Sequence, residues 1–148
     1  MENKDFKKLF GCLAQQNGFE YAFSGWIKES PECIAIIELQ KSNYGNYYDM
    51  NIKIYIQGVF GNKYLKCKDL VKNDTGDIFT RQPPEYNSAF DLDSLMDSET
   101  RKNILSKLFI GFIVPEVDKN LTRAGIVEQA RNGKFILPAI KKELGIYS

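Results

Sequence analysis

With 148 residues and a formal charge of +1 from twenty basic and nineteen acidic side chains, the chain sets up no overall field that recruits nucleic acid or an anionic membrane. It contains no histidine, which removes the commonest general base, the commonest metal ligand and the physiological-pH switch together. Three widely spaced cysteines, Cys12, Cys33 and Cys67, form neither a CxxC nor a zinc pattern and fit a reduced cytoplasmic setting, and the length suits one domain over residues 1–148.

The charged N-terminus leads into no signal-type apolar run, and no uncharged stretch reaches the ~18 residues of a membrane span. Phe6, Leu9, Phe10 and Leu13 recur at helical spacing and predict an amphipathic helix, with Asn3 as its cap and Gly18 just past its end. From Phe19 to Val59 three segments alternate with the period of two that marks a half-buried strand. In the first, Phe19, Tyr21, Phe23 and Ile27 share one face, and Glu20, Ser24, Trp26 and Lys28 share the other. The second sets Cys33, Ala35, Ile37 and Leu39 against Ile34, Ile36, Glu38 and Gln40. The third sets Tyr48, Met50, Ile52, Ile54 and Ile56 against Asp49, Asn51, Lys53 and Tyr55.

Ser30-Pro31 and Asn43-Tyr44-Gly45-Asn46 are turn formers that join these segments as hairpins. A four-residue second loop pairs Gln40 with Asp49, Glu38 with Asn51, Ile36 with Lys53 and Ile34 with Tyr55, so the two apolar faces coincide. A first turn centred on Ser30 pairs Trp26 with Ile34 and Ala22 with Glu38. The face turned away from the core then has an aromatic half, Trp26, Ile34 and Tyr55, and a polar half, Glu38, Gln40, Asp49 and Asn51. On this reading Trp26→Ala leaves folding largely intact.

Residues 61–76 read as an exposed connection, with a short extension at Tyr64–Cys67 and a cluster of Lys63, Lys66, Lys68 and Lys72 that is a solvated loop or, more sharply, an anion-binding patch. Asp77–Arg81 and Ser88–Leu92 read as short strands around Pro83-Pro84, which cannot donate ladder hydrogen bonds and so belong at a sheet edge. Arg81 beside the prolines and Tyr86 makes a candidate recognition rim. Asp97 or Ser98 caps a helix carrying Ile104, Leu105, Leu108, Phe109, Phe112 and Ile113, which Pro115 ends or kinks. Thr122 caps another that stops near Gly133, and Pro138 opens a last one ending at Gly145. The order predicts an α+β fold: an antiparallel meander sheet with helices packed mainly on one face.

The run Asn17-Gly18-Phe19, then Trp26, then Ile37-Glu38-Leu39-Gln40-Lys41-Ser42 and the strand Met50-Asn51-Ile52-Lys53-Ile54-Tyr55 resembles the bacterial domain-of-unknown-function family 4304 (DUF4304). The resemblance runs to about Gly61, and Arg81 stands where an arginine-containing segment is expected. It implies a small cytoplasmic bacterial protein and carries over no catalytic residue.

The chemistry rests on the residues themselves. Glu38 and Asp49, with Glu20, are carboxylates that an acid/base or metal site would use, but Asn51 and Lys53 beside them make cross-strand pairing the simpler account. Asp91, Asp93 and Asp97 lack the glycine and spacing of a calcium loop. Cys12 and Cys33 are expected as small buried hydrophobes, while Cys67 lies between Lys66 and Lys68. No cofactor or metal is expected. The leading expectation is a non-catalytic interaction module that binds another protein through Trp26, Ile34, Glu38, Gln40, Asp49, Asn51, Lys53 and Tyr55; a toxin-neutralising or immunity role fits by analogy. The alternative is a small-molecule-binding protein, or a histidine-free enzyme, with a pocket at the same face. Nucleic-acid binding is disfavoured, because only Lys28 and Lys53 would serve that face.

Overall fold

A computed structural model describes residues 1–146. Helix α1 (Asn3–Gln16) buries Phe6, Phe10, Leu13 and Ala14, the stripe that its spacing dictates. Asn3 is its first helical residue rather than its cap, and its side-chain oxygen accepts from Lys41 Nζ at 2.9 Å. At the other end Gly18 takes φ +91°, so that its N–H reaches Gln15 O and that of Phe19 reaches Ala14 O. These two bonds satisfy carbonyls that the helix end would otherwise orphan.

The sheet is an antiparallel meander in the order β1 (Glu20–Ala22), β2 (Gly25–Glu29), β3 (Cys33–Lys41), β4 (Tyr48–Ile56) and β5 (Ile78–Arg81). The β3–β4 register agrees with the expectation: Gln40 faces Asp49, Glu38 faces Asn51, Ile36 faces Lys53 and Ile34 faces Tyr55. Ser42 N–H closes the four-residue loop onto Tyr47 O at 3.0 Å.

The first segment departs from the expectation. It is two strands, because Phe23 and Ser24 both adopt left-handed backbone (φ 54° and 67°) and turn the chain back after Ala22. A primed turn normally uses asparagine and glycine, so Phe-Ser gives no sequence signal for it, and each residue held there costs roughly 1–2 kcal/mol. The next hairpin turns later than expected, between Pro31 and Glu32 rather than at Ser30. Ser30 N–H bonds Cys33 O at 2.9 Å across Pro31-Glu32, and Trp26 consequently pairs with Ile37 instead of Ile34. A shift of three positions is odd, and an odd shift sends every side chain of the strand to the other face. Trp26 therefore lies in the main core, 5% exposed, with its ring 5.1 Å from that of Phe10.

The main core fills the space between the sheet's α1 face and the later helices. Ile37, Met50, Ile52, Ile54 and Ile56 meet Phe6 and Phe10 of α1 together with residues of the C-terminal half. Helix α2 (Lys68–Lys72) packs on the other face of the sheet. The segment read as a Ser88–Leu92 strand is a short helix, α3 (Asn87–Phe90), and the segment's one β-bridge among the described residues pairs Tyr47 with Asp91. Asp97 caps α4 (Ser98–Leu108) by accepting from Thr100 N–H at 2.7 Å.

Beyond α4 a π-helical turn, Phe109–Ile113, leads into α5 (Val114–Lys119). Pro115 brings no N–H to the ladder, and the wider turn immediately before it lets the chain continue helically past the residue expected to end or kink it. Thr122 caps α6 (Arg123–Arg131), and Pro138 begins α7 (Pro138–Glu143). Arg101 is fully buried, donating from Nη1 to Ala89 O at 2.5 Å and Asp91 O at 3.1 Å, which ties α4 to α3.

Because Trp26 is core rather than surface, Trp26→Ala is expected to destabilise the protein by about 3–5 kcal/mol in denaturant titration, as deletion of a buried large aromatic does. A loss below about 1 kcal/mol would place Trp26 on the surface, where truncation is nearly neutral.

Candidate functional site

The second sheet face begins as an apolar surface and ends as a polar one. Ile27, Ile34, Ile36 and Tyr55 form a small core with Leu70 and Val71 of α2. The lysine-rich connection is largely exposed, as expected, but its middle folds as α2, whose Leu70 and Val71 cover the aliphatic half of this face. Tyr64–Cys67 adds no strand. Close approach depends on Gly25, where an added Cβ would stand 2.8 Å from Val71 Cγ1 and 3.1 Å from Ile37 O.

A helix this short leaves its last carbonyls without intrahelical partners. Two sheet side chains supply them. Tyr55 OH donates to Leu70 O at 2.5 Å and Lys53 Nζ donates to Val71 O at 2.6 Å, the ammonium meeting the negative end of the helix. Burial pushes the Tyr55 hydroxyl pKa upward, so it stays a donor. Lys53 and Glu38 form an ion pair at 3.0 Å, with side chains 4% and 9% exposed.

From there the polar row continues outward. Asn51 Nδ2 donates to Glu38 Oε1 at 3.1 Å and to Gln40 Oε1 at 2.9 Å, while its Oδ1 accepts from Arg81 Nε at 3.0 Å. Arg81 also reaches Gln40 Oε1 at 3.4 Å, and its Nη1 lies 3.9 Å from Asp49 Oδ2. Its guanidinium sits 5.6 Å from the centre of the Phe79 ring. Pairing of β5 with β4 puts Phe79 opposite Lys53 and Arg81 opposite Asn51, which is why all four share this face.

The structure thus joins five of the eight expected residues, Glu38, Gln40, Asp49, Asn51 and Lys53, into one network. It separates the other three. Ile34 and Tyr55 are 2% and 1% exposed beneath α2, and Trp26 belongs to the opposite face, so the aromatic half of the expected surface does not exist. Arg81 was expected beside the prolines; its real neighbours are Asn51 and Gln40. Phe79 was missed, although its alternation with Arg81 through Thr80 would have flagged it once β5 was paired with β4.

Other titratable groups are committed to structure. Cys33 is buried on the α1 face and desolvation pushes its thiol up to about 12, whereas Cys12, expected to be buried, is exposed. Asp77 accepts from Ile56 N–H at 2.8 Å and from Tyr64 OH at 3.1 Å, and burial holds its carboxyl above the ordinary aspartate range. Among the described residues no group of three or more Cys, Asp or Glu is placed to hold a metal ion. No helix among them is long and apolar enough to cross a membrane.

Removing one member of the buried pair leaves the other charge stranded. Lys53→Met is expected to cost about 3–5 kcal/mol, and adding Glu38→Leu is expected to recover part of it, as a double-mutant cycle in denaturant would read. Additive losses would show that the two groups are not coupled.

With this geometry in place, a match to a protein-family model can be read against it. The profile of a domain of unknown function, DUF4304, covers residues 10–118 of the 148, well past Gly61, and so includes the whole sheet, α2 and the polar row. No curated protein and no solved structure matches the chain. The chain belongs to the DUF4304 family.

Proposed function

We propose that this chain is a non-catalytic module that binds another protein through the β5 edge of its sheet and the exposed end of the polar row. The observation that carries the reading is a patch rather than a pocket. Phe79, Phe135 and Leu137, 41%, 77% and 54% exposed, border one shallow groove of about 240 Å³ against β5. Beside it Arg81 is half exposed yet held by Asn51 and stacked near Phe79.

An apolar centre flanked by a pre-positioned arginine and polar groups is the usual make-up of an interface hot spot. Exposed apolar side chains gathered beside a terminal strand, Phe79 from β5 and Phe135 and Leu137 from the segment before α7, also mark a docking surface more than an accident of composition. The carboxylates nearby favour this over the alternative of a small-molecule or enzymatic pocket at the same face. Glu38 is buried and paired with Lys53 and Asn51, which leaves only Asp49, itself 3.9 Å from Arg81, as a partly exposed acid on this face. A bacterial, cytoplasmic setting belongs to the same reading, and a toxin-neutralising or immunity role is its cellular form by analogy.

The test places a photo-crosslinking residue at position 79, with a second copy of the experiment at Lys8 near the other edge of the sheet. A defined partner that crosslinks through position 79, and whose affinity falls about tenfold or more in Arg81→Glu, supports the reading. Capture that is equal in Arg81→Glu, or that occurs only through position 8, overturns it. Unchanged far-ultraviolet circular dichroism shows that the variant is folded.

A further inference from the structure

A second feature lies at the opposite edge of the sheet, between α1 and the β1–β2 hairpin. There a cleft of about 460 Å³ is lined by Lys7, Lys8 and Gly11 from α1, Tyr21 and Trp26 from the hairpin, and Lys72 from the end of α2. Its size falls within the range of small-ligand sites. Three lysines line it, and none of the described residues lining it is an aspartate or glutamate. Lys7 is partly occupied, 5.9 Å from the centre of the Tyr48 ring. Lys8 and Lys72 form no ion pair with a described residue.

The wall between these cations is aromatic. The Tyr21 and Trp26 rings are 5.4 Å apart and tilted by 53°, forming a corner rather than a closed stack. Trp26 is core for most of its surface, but the Nε1 edge of its indole passes Gly11 closely enough that an added Cβ there would lie 3.3 Å from Nε1. The indole N–H donates to no described residue. A tryptophan N–H that finds no partner in its own chain is a free donor for a ligand.

The turn that builds this corner is the strained one. Phe23 and Ser24 hold left-handed backbone without being glycine, and Ser24 itself lines the cleft. Strain of this kind persists where the surrounding structure holds it in place, and it concentrates at ligand-facing segments.

We propose that this cleft binds a small aromatic anion, a flat ring carrying a phosphate or carboxylate, with the ring against Tyr21 and Trp26 and the anionic group among Lys7, Lys8 and Lys72. The site is independent of the protein-docking edge, since β1 and β5 lie at opposite ends of the strand order.

Trp26 is the only tryptophan, so its indole N–H resonance reports on this cleft alone. The experiment titrates the full chain with adenosine monophosphate, phenyl phosphate and benzoate, and with adenosine and inorganic phosphate as single-feature controls. At least one ring-plus-anion probe is expected to move the indole resonance saturably and to bind about tenfold or more tightly than either control. The double variant Lys8→Gln, Lys72→Gln is expected to weaken that binding by about tenfold, with the rest of the spectrum unchanged. Phosphate probes binding without benzoate, or the reverse, identifies the anionic group. No saturable shift with any ring-plus-anion probe, or equal affinity in the double variant, overturns the proposal.

Discussion

A lysine ammonium cannot remain inside a protein without compensation, and the second face of this sheet is arranged around that constraint. Lys53 has almost no contact with solvent, and the two groups that compensate it come from different parts of the chain: the Glu38 carboxylate on the neighbouring strand and the Val71 carbonyl at the end of α2. Each solves a problem for the other. The ammonium neutralises a buried acid and also satisfies a helix-end carbonyl that would otherwise be orphaned. The Tyr55 hydroxyl does the same for Leu70 O. A five-residue helix has little stability of its own, so these side-chain bonds and the burial of Leu70 and Val71 must hold it against the sheet.

That constraint also explains why the remaining polar side chains are ordered rather than merely exposed. Glu38 accepts from Asn51, Asn51 fixes Gln40, and Asn51 and Gln40 together aim Arg81. Arg81 therefore reaches solvent in a defined orientation beside Phe79, which reduces the entropy lost when a partner orders it. The two edges of the sheet carry different chemistry. One offers an arginine, a phenylalanine and an apolar groove, for which we propose a protein partner, and the other an aromatic corner lined by lysines, for which we propose a small anion.

Much of the fold was legible because local signals and global pattern agreed. Helix α1, the Gly18 turn, the caps at Asp97 and Thr122 and the β3–β4 register all follow from spacing and turn chemistry. The site was legible only where that register held, in Glu38, Gln40, Asp49, Asn51 and Lys53. Trp26 failed for a specific reason: its face depended on two turns, one formed by Phe-Ser in a conformation that sequence rules assign to other residues, the other centred past Ser30, between Pro31 and Glu32. Helix α2 failed because a five-residue amphipathic turn among lysines has too short a period to detect, and its role depends on carbonyls that no sequence pattern displays. Arg81 was legible as a rim candidate but not as part of the polar row, because that role comes from its pairing with Asn51, a contact thirty positions away in the chain.

The most direct test of this account is amide hydrogen exchange across residues 68–73 in the wild-type chain and in Lys53→Met. Lys53 as the tether of α2 requires measurable protection of those amides in the wild type and its selective loss in the variant, while the β3–β4 amides stay slow. Equal protection in both proteins, or fast exchange over α2 in the wild type, would contradict it.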